Sequence, residues 1–239
     1  MESLTSGIQY RHWPAADAKA CVLLVHGLAE HTGRYHRLAA HFNSAGIAVV
    51  GPDHIGHGAS PGVRAHVRRF SDYLEPLTAL RERIKEWYPD KPVFLLGHSM
   101  GGLISAHALL VSQKSYHGAM FSGPAFTAVD PVSVPVMWIG RLLRYVFPKM
   151  GMLALNATEV SRDPAVVADY IADPLVYNGK ITASLGLEIL DAMEVAISRA
   201  GEITLPVYIA HGEADVMAGP EGSTAFFESL ASADKSLDF

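Results

Sequence analysis

The stretch Val93-Phe94-Leu95-Leu96-Gly97-His98-Ser99-Met100-Gly101-Gly102-Leu103 decides how this chain is read. Val93–Leu96 is a run of four apolar, β-favouring residues, the mark of a buried strand, and Ser99 through Leu110 carries a helical pattern. Ser99 falls on the turn between them, with Gly97 and Gly101 two residues to either side. A strand that reverses sharply into a helix needs small neighbours so that the two backbones can approach. The residue at the apex is then held in a strained conformation that exposes its side chain. A hydroxyl there stands at a helix N-terminus, where the dipole and free NH groups, that of Met100 first, favour the charge of a tetrahedral intermediate. The pattern is a nucleophile elbow, the arrangement acyl transfer requires. A Gly-x-Ser-x-Gly arising by chance in a glycine-rich turn would lack the flanking strand and helix.

Working outward, Ile8–Trp13 predicts an opening strand and Ala20–Val25 a buried one that ends on His26-Gly27. Gly33–Asn43 puts Tyr35, Leu38, Ala39 and Phe42 on one helical face, and Gly46 ends that helix before the apolar run Ile47–Val50. A glycine-rich loop, Asp53-His54-Ile55-Gly56-His57-Gly58, follows. Phe70-Ser71 then opens a helix, with Ser71 as its expected N-cap and Leu74, Leu77, Leu80, Ile84 and Trp87 as its apolar stripe. Beyond the elbow, Gly118–Ser122 and Pro206–Ala210 read as strands. This alternation predicts an α/β fold, a mostly parallel sheet with helices on both faces.

Between Gly123 and Leu205 the alternation stops, and about eighty residues show helical patterns without a convincing strand. The expected organisation is a core of residues 1–123 and 205–239 carrying a helical cap at 124–204. Within the cap, Val134–Leu155 is rich in large apolar side chains (Val136, Met137, Trp138, Ile139, Leu142, Leu143, Val146, Phe147, Met150, Met152, Leu153) interrupted by Arg141, Arg144 and Lys149. Two readings stand together: packing against the sheet domain, or a cap that lines an acyl-binding tunnel and rests its outer face on lipid.

Composition removes other classes. The 239 residues are 49% apolar and 18% charged, ordinary for one globular domain, and the net charge of −5 is mild. The one basic cluster, Arg64–Arg69, reads as a solvated loop, so no nucleic-acid partner is expected. Cys21 is the sole cysteine and lies in the apolar run Ala20–Val25, so no internal disulfide forms. Twelve histidines occur in no metal-ligand spacing, and no metal or cofactor is implied. Met1–Tyr10 lacks the apolar run of a signal peptide, and no stretch approaches the ~18 apolar residues of a membrane span. The expectation is a cytoplasmic protein acting on a small-molecule ester or lipid, with peripheral membrane contact through the cap.

These motifs, in this order, resemble the monoacylglycerol lipase family of capped α/β-hydrolases over nearly the whole chain. His26-Gly27-Leu28-Ala29-Glu30-His31-Thr32-Gly33-Arg34-Tyr35 is similar to its oxyanion segment, and Asp53–Ser60 to its Asp-His-x-Gly-His-Gly-x-Ser loop. Gly97–Gly101 is similar to its elbow, and Val160–Leu175, with Tyr170 ahead of Asp173-Pro174-Leu175, to its cap. His211-Gly212-Glu213-Ala214-Asp215 is similar to the turn that bears the triad acid. The resemblance implies Ser99 as nucleophile, Asp215 as the acid that orients a histidine, and the NH groups of Leu28 and Met100 as the oxyanion hole. It implies that Glu30, Arg34 and Tyr170 lie near the polar end of the substrate, with a structural Glu30–Arg34 salt bridge as the alternative. The reaction implied is two-step hydrolysis of carboxylic esters, monoacylglycerols first, with a broad carboxylesterase as the runner-up.

The order serine, acid, histidine is incomplete here, because no histidine follows Asp215. Ala225–Leu230 reads as the end of a helix and Ser236–Phe239 as the strand after which the family places its histidine. The expectation is a serine hydrolase whose C-terminal segment is missing from this sequence. The other account is a complete, non-catalytic ligand-binding relative. An apolar strand left without its covering helix would expose sheet surface and backbone groups, which favours the first.

Overall fold

The computed structural model describes residues 1–128, 140–141 and 144–239. Its strands are β1 (Glu2–Ser3), β2 (Gln9–Trp13), β3 (Ala20–Val25), β4 (Ile47–Pro52), β5 (Val93–His98), β6 (Gly118–Ser122), β7 (Gly151–Ala154), β8 (Lys180–Thr182), β9 (Val207–Ala210) and β10 (Lys235–Asp238). The longer helices are α1 (His36–Ser44), α2 (Leu74–Trp87), α3 (Met100–Ser112), α4 (Pro164–Ala172), α5 (Ala183–Arg199) and α6 (Pro220–Ser229). Eight strands form one sheet in the order β1-β2-β4-β3-β5-β6-β9-β10. β1, β2 and β4 pair antiparallel, and every pairing from β4 through β3, β5, β6, β9 and β10 is parallel. This is the α/β-hydrolase fold.

The alternating residues of the strands divide between two faces. Cys21, Leu23, Val25, Val93, Leu95, Phe121, Val207 and Ile209 join the larger cluster with Leu77, Leu80 and Ile84 of α2, Leu103 and Ile104 of α3, Leu185 and Ile189 of α5, and Phe226 of α6. Val22, Leu24, Val49 and Leu96 face the other way, against Ala39, Tyr35 and Phe42. Burying one such leucine contributes about 1.5–3 kcal/mol, so strands buried on both sides dominate the core energetics. Away from α1 this second face opens: Phe94 and Met120 are half-buried and Tyr208 is exposed. Burial pushes the Cys21 thiol up to about 12, which leaves it an inert core side chain.

Four local expectations need correction. Leu38 turns outward on α1, because only the narrow stripe Tyr35, Ala39, Phe42 meets the sheet. Ser71 caps nothing: a 3₁₀ turn, Phe70–Tyr73, precedes α2, and the Phe70 NH donates instead to Glu188 Oε2 on α5 at 2.6 Å. The region between β6 and β9 does hold strands, since β7 and β8 pair antiparallel. The N-terminus adds β1 ahead of the expected first strand. Part of the apolar run, Val136, Met137, Trp138, Ile139, Leu142 and Leu143, lies outside the described residues. Its described remainder, Tyr145, Val146, Phe147, Met150, Met152 and Leu153, is exposed. Among the described residues no helix is long and apolar enough to cross a membrane.

Candidate active site

β5 delivers Ser99 to the carboxyl edge of the sheet, and α3 begins with the next residue. Ser99 has φ 52° and ψ −121°, a left-handed conformation that costs a non-glycine residue about 1–3 kcal/mol and is held here by its surroundings. Its NH donates to the Ser122 carbonyl at 3.1 Å, and its own carbonyl accepts from Gly102, Leu103 and Ala125. Glycine is needed on both flanks: a Cβ on Gly97 would lie 2.5 Å from Ser105 Oγ, and one on Gly101 would collide with the Val25 carbonyl. The strain therefore falls on Ser99, whose Oγ accepts or donates no hydrogen bond among the described residues.

The turn after β3 closes on the elbow. A Cβ on Gly27 would stand 3.3 Å from Ser99 Cβ and 3.0 Å from Glu30 Oε1, so this backbone passes directly beside the hydroxyl. The NH groups of Leu28, in this turn, and Met100, the first residue of α3, donate to no described backbone group. Buried Glu30 holds this loop from within: Oε1 accepts from the Gly27 NH at 2.7 Å and the Tyr35 hydroxyl at 2.6 Å, and Oε2 lies 3.2 Å from Arg34 Nε. Burial, then the Glu30 carboxylate, pushes the Tyr35 phenol well above its ordinary range, so it stays a donor. The Arg34 guanidinium stacks 4.6 Å over the Tyr170 ring, and burial raises that phenol to about 12. His31 Nε2 meets Asp173 Oδ2 at 2.8 Å, and the Tyr177 NH donates to the Ala29 carbonyl. Through these contacts α4 and the residues after it seat on the loop beside Ser99.

Beneath the loop lies a support that motif reading did not assign. Asp53, fully buried, accepts from the Thr32 NH and hydroxyl through Oδ1 and from the Ala59 NH through Oδ2. His26 Nε2 accepts from the His54 NH at 2.9 Å, so its Nδ1 carries the proton and donates to the Gly27 carbonyl at 2.8 Å. His54 Nε2 meets the His26 carbonyl at 3.0 Å, and the His26 and His54 rings stand 4.0 Å apart. Burial, then the neighbouring imidazoles, holds His26 well below its usual value; burial first lowers His54 to about 3 and His57 to about 4. All three are neutral scaffold. The signal was the clustering of histidines in two loops that follow adjacent strands.

Asp215 follows β9 on the far side of β6. Its Oδ1 accepts from the Met217 and Ala218 NH groups at 2.8 and 3.0 Å, and its Oδ2 accepts no hydrogen bond from the described residues. It lines a cleft of about 360 Å³ with His98, Ser122, Gly123 and Asp238. His211, 3.5 Å from Oδ2, is committed elsewhere, its Nε2 to the Ala218 carbonyl and its Nδ1 to the Ser223 hydroxyl. His98 is likewise anchored through Nδ1 on the Ser122 carbonyl at 2.8 Å. None of the twelve histidines hydrogen-bonds Ser99 Oγ or Asp215 Oδ2. Ser99, Gly27, Glu30, Arg34 and Tyr170 are linked by contacts around the elbow, with Leu28 and Met100 next to them in the chain, and Asp215 lies in the cleft beside Gly123 and His98.

Sheet order, elbow and free NH donors place the chain among the serine hydrolases of the α/β-hydrolase fold. A family model described as serine aminopeptidase, S33 (Hydrolase_4) matches residues 16–239. The chain is 37% identical to a monoacylglycerol lipase of Mycolicibacterium smegmatis, over 96% of this chain and 82% of that one. It is 32% identical to a monoglyceride lipase of Rattus norvegicus, over 95% and 76%. The crystal structure of Paleococcus ferrophilus monoacylglycerol lipase superposes with a TM-score of 0.87 at 32% identity, over 97% of this chain and 88% of that one. The chain belongs to the monoacylglycerol lipase family of α/β-hydrolases.

Proposed function

We propose that this protein hydrolyses carboxylic esters, monoacylglycerols foremost, through an acyl-enzyme on Ser99. The observation that carries the reading is the strained Ser99 with an unengaged Oγ beside the free NH groups of Leu28 and Met100. Attack by Oγ on the ester carbonyl moves charge onto the carbonyl oxygen, where two fixed donors act without reorganisation. The alcohol leaves, the acyl group stays on Ser99, and water repeats the attack. The reaction requires an imidazole between Ser99 and Asp215 as proton acceptor, a place that none of the twelve histidines here takes; Asp215 Oδ2 is free among the described residues to receive its NH, with Oδ1 held by two backbone donors. Residues 124–204 act as the cap, with Tyr170 and Arg34 toward the glycerol end of the substrate.

The cap's outer side supports a lipid-facing role. Tyr145, Phe147 and Leu153 are 82%, 59% and 60% exposed, with Met150 and Met152 beside them in sequence and Lys149 among them, a composition suited to resting on a membrane surface.

The test is to treat the full-length protein with a fluorophosphonate, read the intact mass, and compare hydrolysis of a long-chain monoacylglycerol with that of a short aryl ester. One adduct on Ser99 and faster release from the monoacylglycerol are expected. A preference for the short ester would make the protein a general carboxylesterase, and no adduct would leave a ligand-binding relative.

A further inference from the structure

We propose that a second site, at the amino edge of the sheet, binds a small oxyanion, inorganic phosphate or a phosphate monoester, on Arg81. A pocket of about 380 Å³ opens where α2 ends and β5 and β6 begin, lined by Arg81, Lys85, Tyr88, Asp90, Lys91 and His117 among others. Val93 opens β5 and Ser99 follows its last residue, so the strand's length separates this pocket from the hydrolytic site by on the order of 20 Å.

Arg81 is what makes the pocket a site. It is only 9% exposed, its Nε donates to the Ser115 carbonyl at 2.7 Å, and its Nη1 is buried with no partner among the described residues. Among the described residues no carboxylate lies within ion-pair distance of it. Arg34 and Arg144, both more exposed, each face at least one carboxylate, Glu30 for the first and Glu188 and Asp191 for the second. A guanidinium withdrawn from water without an anion is costly, and its two Nη groups match the paired oxygens of phosphate.

Other donors line the same pocket. Lys91 forms no ion pair among the described residues, and Lys85 is engaged on its outer side by Glu82 at 2.9 Å. His117 Nδ1 accepts from the Val93 NH at 3.1 Å, which puts the ring proton on Nε2 and makes a neutral imidazole a donor to the pocket. The Tyr88 hydroxyl is committed to His12 at 2.7 Å. Against these donors stands one acid in the lining, exposed Asp90, in no ion pair among the described residues. The balance is cationic around a buried, half-satisfied fork.

The experiment is thermal denaturation of the full-length protein in rising inorganic phosphate, against potassium chloride of matched ionic strength, with a glycerol 3-phosphate series alongside. A saturable rise in Tm is expected, about 3–6 °C at a tenfold excess over Kd. A larger rise with the ester identifies an organic phosphate as the ligand; an equal or smaller one identifies the free anion. Arg81→Met removes the response. Because Arg81 is buried, Lys91→Glu on the exposed rim is the companion variant: it keeps the Tm and ester hydrolysis of the unaltered chain without phosphate, and weakens phosphate binding by about tenfold or more. A Tm that tracks ionic strength alone, or a phosphate response unchanged in both variants, overturns the proposal.

Discussion

The turn after β5 and the turn after β9 stand at the same edge of one parallel sheet, separated by β6, and they are built in opposite ways. Ser99 is locked by four backbone hydrogen bonds, a left-handed φ and two glycines that admit no Cβ. Its neighbouring loop is held by Glu30, Asp53 and three buried neutral imidazoles. Asp215 is held through Oδ1 by two backbone NH groups, and its carboxylate borders a cleft lined also by His98, Gly123 and Asp238. The contrast follows from what each turn has to do. In the proposed reaction, oxyanion donors act only if fixed before the charge develops, whereas the acid has only to orient a ring.

The comparison breaks first at the proposed nucleophile. Ser99→Ala is expected to lower ester turnover by about 10⁶-fold while leaving the circular dichroism spectrum and Tm unchanged, since alanine inherits the same strained backbone. Hydrolysis retained at a few per cent would take the elbow out of the reaction. Asp215→Asn is expected to cost about 10⁴-fold in kcat with little change in Tm, because the amide oxygen still accepts from Met217 and Ala218. A loss below tenfold would move the acid elsewhere.

Glu30→Ala sharpens the contrast between binding and positioning. If Glu30 holds the Gly27 NH, kcat falls by about 10²-fold with KM nearly constant; if it binds glycerol, KM rises instead. Kinetics on a monoacylglycerol decide between the two. The smallest effect is on pH stability. His26, His54 and His57 titrate lower in the fold than their unfolded value of 6.5, so below about pH 6.5 the unfolded chain binds protons that the native state refuses. Stability is complete above that pH and falls as pH drops toward about 4, where His57 begins to titrate in the fold, and on toward about 3 for His54. Each contributes up to about 1.4 kcal/mol per pH unit. Urea unfolding at pH 7, 6 and 5 checks this, and replacing His57 with a neutral residue should flatten the slope.

The legible parts of the molecule were those whose physics is local. Val93–Leu96, Ala20–Val25 and the stripe Leu77, Leu80, Ile84 announce burial through runs and periods, and Gly97 and Gly101 announce a close approach. Where a partner came from far along the chain, local rules failed. Ser71 looked like a cap, but the Phe70 NH is satisfied by Glu188, 118 residues away. The strands β7 and β8 are too short and, in β7, too exposed to show an alternation, and only their pairing defines them.

By itself, then, the sequence determined a parallel α/β core, the place of Ser99 at a strand-to-helix reversal and the family, because periodicity, glycine and motif order are carried by neighbouring residues. The tertiary structure alone decided that Glu30 ties down the Gly27 NH while paired with Arg34, that His26, His54 and His57 cluster neutral beneath the loop, and that Arg81 Nη1 is buried with no partner among the described residues. Those outcomes depend on which distant groups meet once water is excluded. The free energy of a carboxylate, an imidazole or a guanidinium is set by its partners in space, whatever its neighbours in the chain.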